Sequence, residues 1–385
     1  MLITRLKLKN WRNFRDVDVK LGARGYLIGA NASGKSNFLD VFRFLRTIAQ
    51  SEGGGLQKAL KDRGGLTKLR SLHARKDPEV RIEIELSESA SDGAPNWRYV
   101  LAFKSEGKGQ RGLITEESVY HRDQELALLS RPSPEDTSDP ARLTQTHLEQ
   151  INNNANFREL GDYFASTTYL HLVPQLLKHS DEISGRIIES DPFGQGLLQR
   201  IANTQPRTRK ARLDRIQKAL EIAVPQFSEL EFEPDAVTGN PHLKANFKHW
   251  RGHGSWQRED QFSDGTLRLL GLLWALQEGD GLLLLEEPEL SLNDAITEHI
   301  PLIIDRVLRK RKSSRQVLIS THSDNLIAEV GDPQAVLLLA PSGNGSIIRT
   351  PNEAETKAME NGLNPAEVLL PKTRPEQIDQ MGLFG

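Results

Sequence analysis

The sequence predicts an α/β fold in which a mixed sheet with crossover helices carries an antiparallel β lobe and a helical insertion. Three observations predict it. A strand, a glycine-rich loop and a helix follow one another over residues 26–49. Strand-like segments separated by turn residues then run together from 81 to 129. Finally, helix and strand alternate over 265–320, the pattern of a parallel sheet.

Taken in order, residues 2–8 set Leu2, Thr4, Leu6 and Leu8 against Ile3, Arg5 and Lys7, the period-two pattern of a strand. Further strands are expected at 17–21 and 26–29. A helix over 36–49 follows, where Phe38, Leu39, Val41, Phe42 and Leu45 fit a 3.6 period. Residues 51–65, rich in Gly, Lys and Asp, read as a surface loop. Strands are expected at 81–86 and 97–104 around an Asp92-Gly93 turn, then at 112–120 and 126–129. Three prolines between 131 and 140 mark a loop or boundary. Residues 141–224 turn mainly helical, most clearly at 157–164 and 206–224, with a strand at 167–173. Strands return at 229–233 and 242–249. Helix 265–277, strand 281–286, helix 294–311 and strand 316–320 alternate, and strands at 336–339 and 346–349 close the sheet. Residues 361–385 are Pro-rich and loosely patterned, and no internal repeat is visible.

Composition narrows the function. The 385 residues hold 50 Lys+Arg and 52 Asp+Glu, a net charge of −2. That balance excludes a globally basic nucleic-acid binder but permits a local basic groove. There is no cysteine, which excludes disulfide scaffolds, thiolate metal sites and Cys nucleophiles. The apolar stretch 269–276 is far short of the roughly 18–20 residues that span a bilayer. The first ten residues lack the continuous apolar core of a signal peptide. A soluble, cytoplasmic protein with no membrane partner is expected.

The strongest motif is Gly29-Ala30-Asn31-Ala32-Ser33-Gly34-Lys35-Ser36, which matches G-x-x-x-x-G-K-[ST] between a strand and a helix. Successive backbone N–H groups and a helix N-terminus there surround a phosphate. Gly29 and Gly34 let the chain turn tightly, Lys35 brings positive charge to the β/γ oxygens, and Ser36 offers a hydroxyl to Mg²⁺. Leu282–Leu285 then run into Glu286-Glu287-Pro288-Glu289, a buried strand ending in acids at a sheet edge. Glu286 can hold the Mg²⁺ shell through water, and Glu287 can polarise an attacking water. Two adjacent carboxylates need a cation near them; the alternative is a strand entering an acidic surface turn.

Between these motifs, Phe262-Ser263-Asp264-Gly265-Thr266 opens a helix. Ser263 or Asp264 can cap that helix, and the same N-terminus can face a phosphate. The last motif is Ser320-Thr321-His322-Ser323 after a strand. His322 can hydrogen-bond a γ-phosphate or serve only the fold.

In this order the motifs resemble the ABC-type ATPase heads of the RecF, SMC and OLD families, and most of all the stand-alone OLD-like ATPases of bacterial defence and repair systems. The resemblance covers residues 1–50 and 255–340, and the interval 50–255 matches only in layout. It implies a P-loop NTPase of ABC-head type with ATP and Mg²⁺ as cofactors. Gly29–Ser36 with Asn37 would bind nucleotide, Ser36 and Glu286 the metal, and Glu287 and His322 would act in hydrolysis. Two heads would sandwich two ATPs, with Ser263, Asp264 and Gly265 of one protomer meeting the γ-phosphate held by the other. Asp294 would lie where the partner makes contact. Lys9-Asn10-Trp11-Arg12-Asn13-Phe14 resembles the family's K-N-F-R-x-F start and would bring Arg12 to the phosphates.

Some features depart from the pattern. Glu286 stands where the family's Walker B motif usually has aspartate, and S-D-G-T replaces S-G-G-Q. The Q-loop glutamine has two candidates, Gln110 and Gln124. No heptad array separates Lys35 from Ser263, which excludes an SMC-type coiled coil. Residues 323–385 lack the clustered acids of the nuclease domain that full-length OLD proteins append, so nuclease action would come from another chain. The expected division is 1–130 (first ATPase lobe), 131–225 (helical insertion), 226–350 (second ATPase lobe) and 351–385 (tail).

The resemblance implies an ATPase that dimerises, or assembles further, on ATP and regulates a separate effector, a nuclease or toxin, in anti-phage defence. An alternative is a RecF-like repair ATPase clamping DNA. Arg207, Arg209, Lys210, Arg212, Arg215 and Lys218 crowd one helix and would meet phosphates, or form a solvated face. His249-Trp250-Arg251 and Trp256 would stack on bases or pack a loop. Arg309–Lys312 complements a helix dipole. A transporter subunit fits less well, given S-D-G-T and the large insertion. Leu369, Leu370, Met381, Leu383 and Phe384 are expected to dock the tail on the body or on a second protein.

Overall fold

The structure, a computed structural model, describes residues 1–74, 77–89, 93–107, 111–179, 191–248, 255–311 and 315–374. The chain opens with β1 (Leu2–Trp11), β2 (Phe14–Lys20), β3 (Arg24–Gly29), α1 (Lys35–Ala49), α2 (Leu56–Asp62) and α3 (Leu66–Leu69). Strands β4 (Val80–Ser87), β5 (Trp97–Ser105), β6 (Gly112–His121) and β7 (Leu129–Arg131) follow, then α4 (Pro134–Ser138) and α5 (Arg158–Ala165). Next come β8 (Thr168–Leu170), α6 (Pro174–Lys178), α7 (Leu197–Asn203), α8 (Pro206–Ala223), β9 (Phe227–Pro234), β10 (Pro241–Phe247), β11 (Ser255–Arg258) and α9 (Asp264–Gln277). The last part holds β12 (Leu283–Glu286), α10 (Asp294–Thr297), α11 (Ile300–Arg309), β13 (Val317–Ser320), α12 (Asp324–Ala328), β14 (Val336–Ser342), β15 (Gly345–Arg349), α13 (Glu353–Glu360) and α14 (Pro365–Leu369).

These elements form two compact units, Met1–Thr167 with Asp280–Leu284 and Lys312–Gly385, and Thr168–Gly279 with Leu285–Arg311. In the first unit, one antiparallel sheet runs β2-β1-β4-β5-β6-β7. A second sheet runs β15-β14-β3-β13-β12. Strand β3 is buried along nearly its whole length, as befits a strand covered on both faces. It pairs in parallel with β13 and β14, with Leu27 opposite Ser320 and Gly29 opposite Leu339. Parallel pairing brings the carboxyl ends of β3 and β13 to one edge of the sheet. That edge carries the glycine loop and the Ser320-Thr321-His322 turn.

Helix α1 buries Phe38, Leu39, Val41, Phe42, Phe44, Leu45 and Ile48. Phe44 stacks on Phe103 of β5 at 5.6 Å and meets Trp11 edge-on at 5.1 Å. At the β6–β7 edge of the antiparallel sheet, Arg131 is buried between Glu117 and Asp136, bonding both. Burial pushes the Glu117 carboxyl up, against the backbone N–H groups and Arg131 that favour its charge.

Several expectations give way here. Residues 51–65 are not all loop: α2 buries Leu56, Ala59 and Leu60. Its first turn is held by Glu149, whose Oε2 accepts from Leu56 N at 2.8 Å across 93 residues of sequence. The expected helix 294–311 is two helices, with Pro301 in the first turn of α11, where a missing N–H costs nothing. Strand β8 is shorter than 167–173. The tail carries α13 and α14, each opened by an asparagine capping box at Asn352 or Asn364. Leu369 is fully buried, so the tail docks on its own unit at least that far. Met381, Leu383 and Phe384 lie outside the described residues.

In the second unit, β11-β10-β9 form an antiparallel sheet. Helix α8 packs with Leu213, Ile216 and Leu220 buried, one helical stripe. Helix α9 buries every residue from Leu269 to Leu276. Strand β12 starts in the first unit and ends in the second, where β8 borders it. Among the described residues no helix is long and apolar enough to cross a membrane.

Candidate functional site

The glycine loop joins β3 to α1. Gly34 is its last residue, at φ 109°, and Ala32 also has positive φ, 63°. Gly29 is required by crowding instead: a Cβ there would lie 2.5 Å from Leu339 O and from Ser33 Oγ. Helix α1 therefore starts without a side-chain cap and without an acid in its first turn. By contrast, Ser263 caps α9 and Ser323 caps α12. An uncapped N-terminus on a 15-residue helix is suited to an anion. Lys35 is buried, and its Nζ donates to Gly29 O at 2.9 Å and Ala30 O at 3.3 Å. Ser33 Oγ and Ser320 Oγ are both buried without a hydrogen-bond partner. Such orphaned hydroxyls, one in the glycine loop after β3 and one at the end of β13, fit a polar ligand or water. Asn31, Ala32, Ser36 and His322 are exposed.

Asn13 clasps this loop. Its Nδ2 donates to Ser33 O at 3.0 Å and to Ser346 Oγ at 2.6 Å, while its Oδ1 accepts from Asn37 Nδ2 at 2.8 Å. Trp11 Nε1 donates to Asn37 O at 2.9 Å. The start of the chain thus supports the loop through Asn13 and Trp11. Arg12, with φ 48°, turns its guanidinium to Asp40 of α1, at 2.7 and 3.0 Å. Asp40 also receives Arg63 at 2.8 and 2.9 Å. Burial would raise the Asp40 carboxyl, but Arg63, Arg12 and Arg43 together hold it below the usual range.

Glu286-Glu287 and the Ser263–Thr266 motif lie in the second unit. Glu286 and Glu287 are half-buried at the end of β12. Tyr169 donates its hydroxyl to Glu286 Oε2. Glu287 has φ 46°, a strained position for a residue with a Cβ. Ser263 Oγ accepts from Thr266 N at 3.2 Å, so the capping expectation holds. Asp264 is tied to α6, accepting from Lys178 Nζ and Gln175 Nε2, each at 2.7 Å. The Lys178 bond lowers its carboxyl pKa. A Cβ on Gly265 would lie 2.6 Å from Ser291 O, so glycine allows that close approach. Asn293 caps α10, and Asp294 is exposed in its first turn.

A family match decides what these motifs belong to. Residues 26–328, most of the chain, match the family described as "AAA domain, putative AbiEii toxin, Type IV TA system". The chain belongs to this AAA family. Its fold is similar to that of an SMC head bound to the C-winged helix domain of ScpA. The TM-score is 0.56 at 14% identity, over 92% of this chain and 100% of that one. It is also similar to an SMC head with an extended coiled coil, from Pyrococcus furiosus, bound to the C-terminal domain of ScpA. There the TM-score is 0.50 at 14% identity, over 93% of this chain and 98% of that one. No curated protein matches. The expected fold class therefore stands: this AAA-family chain has the P-loop ATPase fold of SMC heads, with a mixed and an antiparallel sheet.

Other expected residues fall elsewhere. Gln124 lies in the turn after β6, and Gln110 and His249-Trp250-Arg251 are outside the described residues. Gln175, not one of the two candidate glutamines, is the one that bonds Asp264 of the Ser263–Thr266 motif; its sequence signal is its place just after the short strand β8. On α8, three bases are engaged internally. Arg209 lies 3.9 Å over Phe232, Arg212 lies 5.2 Å over Trp274, and Arg215 donates to Gln277 at 2.7 Å. Arg207, Lys210 and Lys218 are exposed. Trp256 is partly exposed, with Lys244 Nζ 4.9 Å from its ring. Among the described residues, no group of three or more His, Cys, Asp or Glu could hold a metal.

Proposed function

We propose that this chain is a Mg²⁺-dependent ATPase of ABC type, OLD-like in its motifs, that dimerises on ATP and regulates a separate nuclease or toxin in anti-phage defence. The observation that carries the nucleotide reading is the uncapped start of α1 inside Gly29–Ser36, with Lys35 buried in the loop. The loop N–H groups would bind phosphate oxygens, and Lys35 would exchange Gly29 O and Ala30 O for them. Ser36 and Glu286 would hold Mg²⁺, which supplies charge neutralisation at the phosphates. Glu287 would orient and polarise the attacking water, and His322 would hydrogen-bond the γ-phosphate. Arg12 would reach the phosphates only by leaving Asp40. Ser263, Asp264 and Gly265 would serve the partner's nucleotide, as the resemblance implies.

The family's description as a toxin-linked AAA domain supports the defence setting. Exposed Arg207, Lys210 and Lys218 favour a second reading, a RecF-like ATPase that clamps DNA. The deciding experiment purifies the Glu287→Gln chain with its genomic neighbours and measures its mass with and without ATP. An ATP-strengthened assembly carrying a neighbour-encoded protein supports the regulator. Bound nucleic acid with no protein partner supports the clamp. A monomer indifferent to ATP refutes head–head assembly.

A further inference from the structure

The second unit holds a contact that these roles leave unused. Tyr169 is buried on β8, the strand bordering β12, and its hydroxyl donates to Oε2 of Glu286. Two residues on, His171 Nδ1 stands 3.1 Å from the main-chain O of the same Glu286, within hydrogen-bond distance. The His171 ring packs edge-on to Phe193 at 6.4 Å. One short segment therefore grips both the carboxylate and the backbone of a single acid.

Two features explain the need for such a grip. A glutamate has one more rotatable bond than the aspartate usual in this motif, so its carboxylate is harder to orient. The next residue, Glu287, sits at φ 46°, a conformation that persists only where neighbours over-determine it.

We propose that Tyr169 is a positioning residue for Glu286, holding Oε2 through its hydroxyl so that Oε1 is presented to Mg²⁺ in one orientation. This rests on the ATPase reading and adds a residue to it. A carboxylate oxygen that accepts from a phenol is fixed by a charge-assisted bond. The hydroxyl acts on the metal only through the acid.

The test is Tyr169→Phe in the full chain, which keeps the ring and removes the donor. Affinity for a fluorescent ATP analogue is measured in EDTA and in Mg²⁺, with Glu287→Gln present throughout to stop turnover. The expected result is an unchanged affinity in EDTA and a loss of about 10–100-fold in the gain that Mg²⁺ brings. A merely structural role would not separate these two numbers. Adding Glu286→Gln should abolish the effect of Tyr169→Phe. An undiminished or larger Mg²⁺ gain in Tyr169→Phe overturns the proposal, as does a further loss on top of Glu286→Gln. A Tyr169-containing chain that binds no ATP, or gains nothing from Mg²⁺, overturns the ATPase reading and the proposal together.

Discussion

Replacing Gly34 by alanine tests whether the phosphate loop is held in shape by its neighbours. Gly34 has φ 109°, where a Cβ costs about 1–2 kcal/mol. The added Cβ would also lie 2.2 Å from Asn13 Nδ2. Asn13 cannot move freely, because it bonds Ser33 O, Ser346 Oγ and Asn37 at 3.0, 2.6 and 2.8 Å. Displacing it forfeits those bonds, each worth about 1 kcal/mol net. Gly34→Ala should therefore cost about 2–5 kcal/mol, combining strain and lost bonds. Asn13→Ala loses the bonds without the clash. In the double variant the bonds are lost once and the obstacle is gone, so it should be less destabilised than the sum by about 1–3 kcal/mol. Urea unfolding of the four chains, followed by tryptophan fluorescence, measures the cycle; Trp11, buried beside the loop, is a local reporter. Additivity within about 0.5 kcal/mol would show that Asn13 is not what Gly34 must avoid.

Other expectations follow from the same contacts. Lys35→Ala should weaken ATP binding by about 10–100-fold, the loss of a charge-assisted phosphate bond, as read by equilibrium fluorescence. Arg131→Met leaves Glu117 and Asp136 buried without their cation and should cost about 3–5 kcal/mol in urea unfolding. Burial and the Arg131 charge lower His147 from 6.5 to about 4, and Arg349 with Lys372 lowers Glu355 from 4.5 to about 2. Between those values the unfolded chain binds protons that the folded chain refuses. Stability should fall as pH drops from 6.5 to 4 through His147, and from 4.5 to 2 through Glu355; urea midpoints for His147→Gln should lack the first part. On α8, Arg209→Ala should destabilise by about 0.5–1 kcal/mol through its lost stacking. The triple Arg207→Glu, Lys210→Glu, Lys218→Glu should instead leave stability nearly unchanged and abolish DNA binding if the clamp reading holds, as measured by salt-dependent gel shift.

Most strands and the longer helices were legible because their signals are local. The Val–Leu–Ile run of β13, the Val–Leu run of β14, the alternation in β1 and the 3.6 period of α1 each show within a dozen residues. Helix α2 was not legible, because its first turn is completed by Glu149, far away in the chain. The break between α10 and α11 has a local signal in Pro301, but the apolar period runs on across it and reads as one helix.

The order of the motifs and the strand–loop–helix unit that displays the phosphate loop are legible in the residues alone. Glycine at a positive φ, lysine and serine at a helix start, and acids after a leucine run carry their meaning in adjacent residues. The partners of the polar side chains come from the fold. It set Arg12 on Asp40, Tyr169 on Glu286, Asp264 on Lys178 and Gln175, and Arg209 and Arg212 on aromatic rings. Most of these pairs are separated by tens of residues or more. A charged or polar side chain is satisfied by whatever the fold brings within about 3 Å, and that choice is not encoded in its neighbours along the chain.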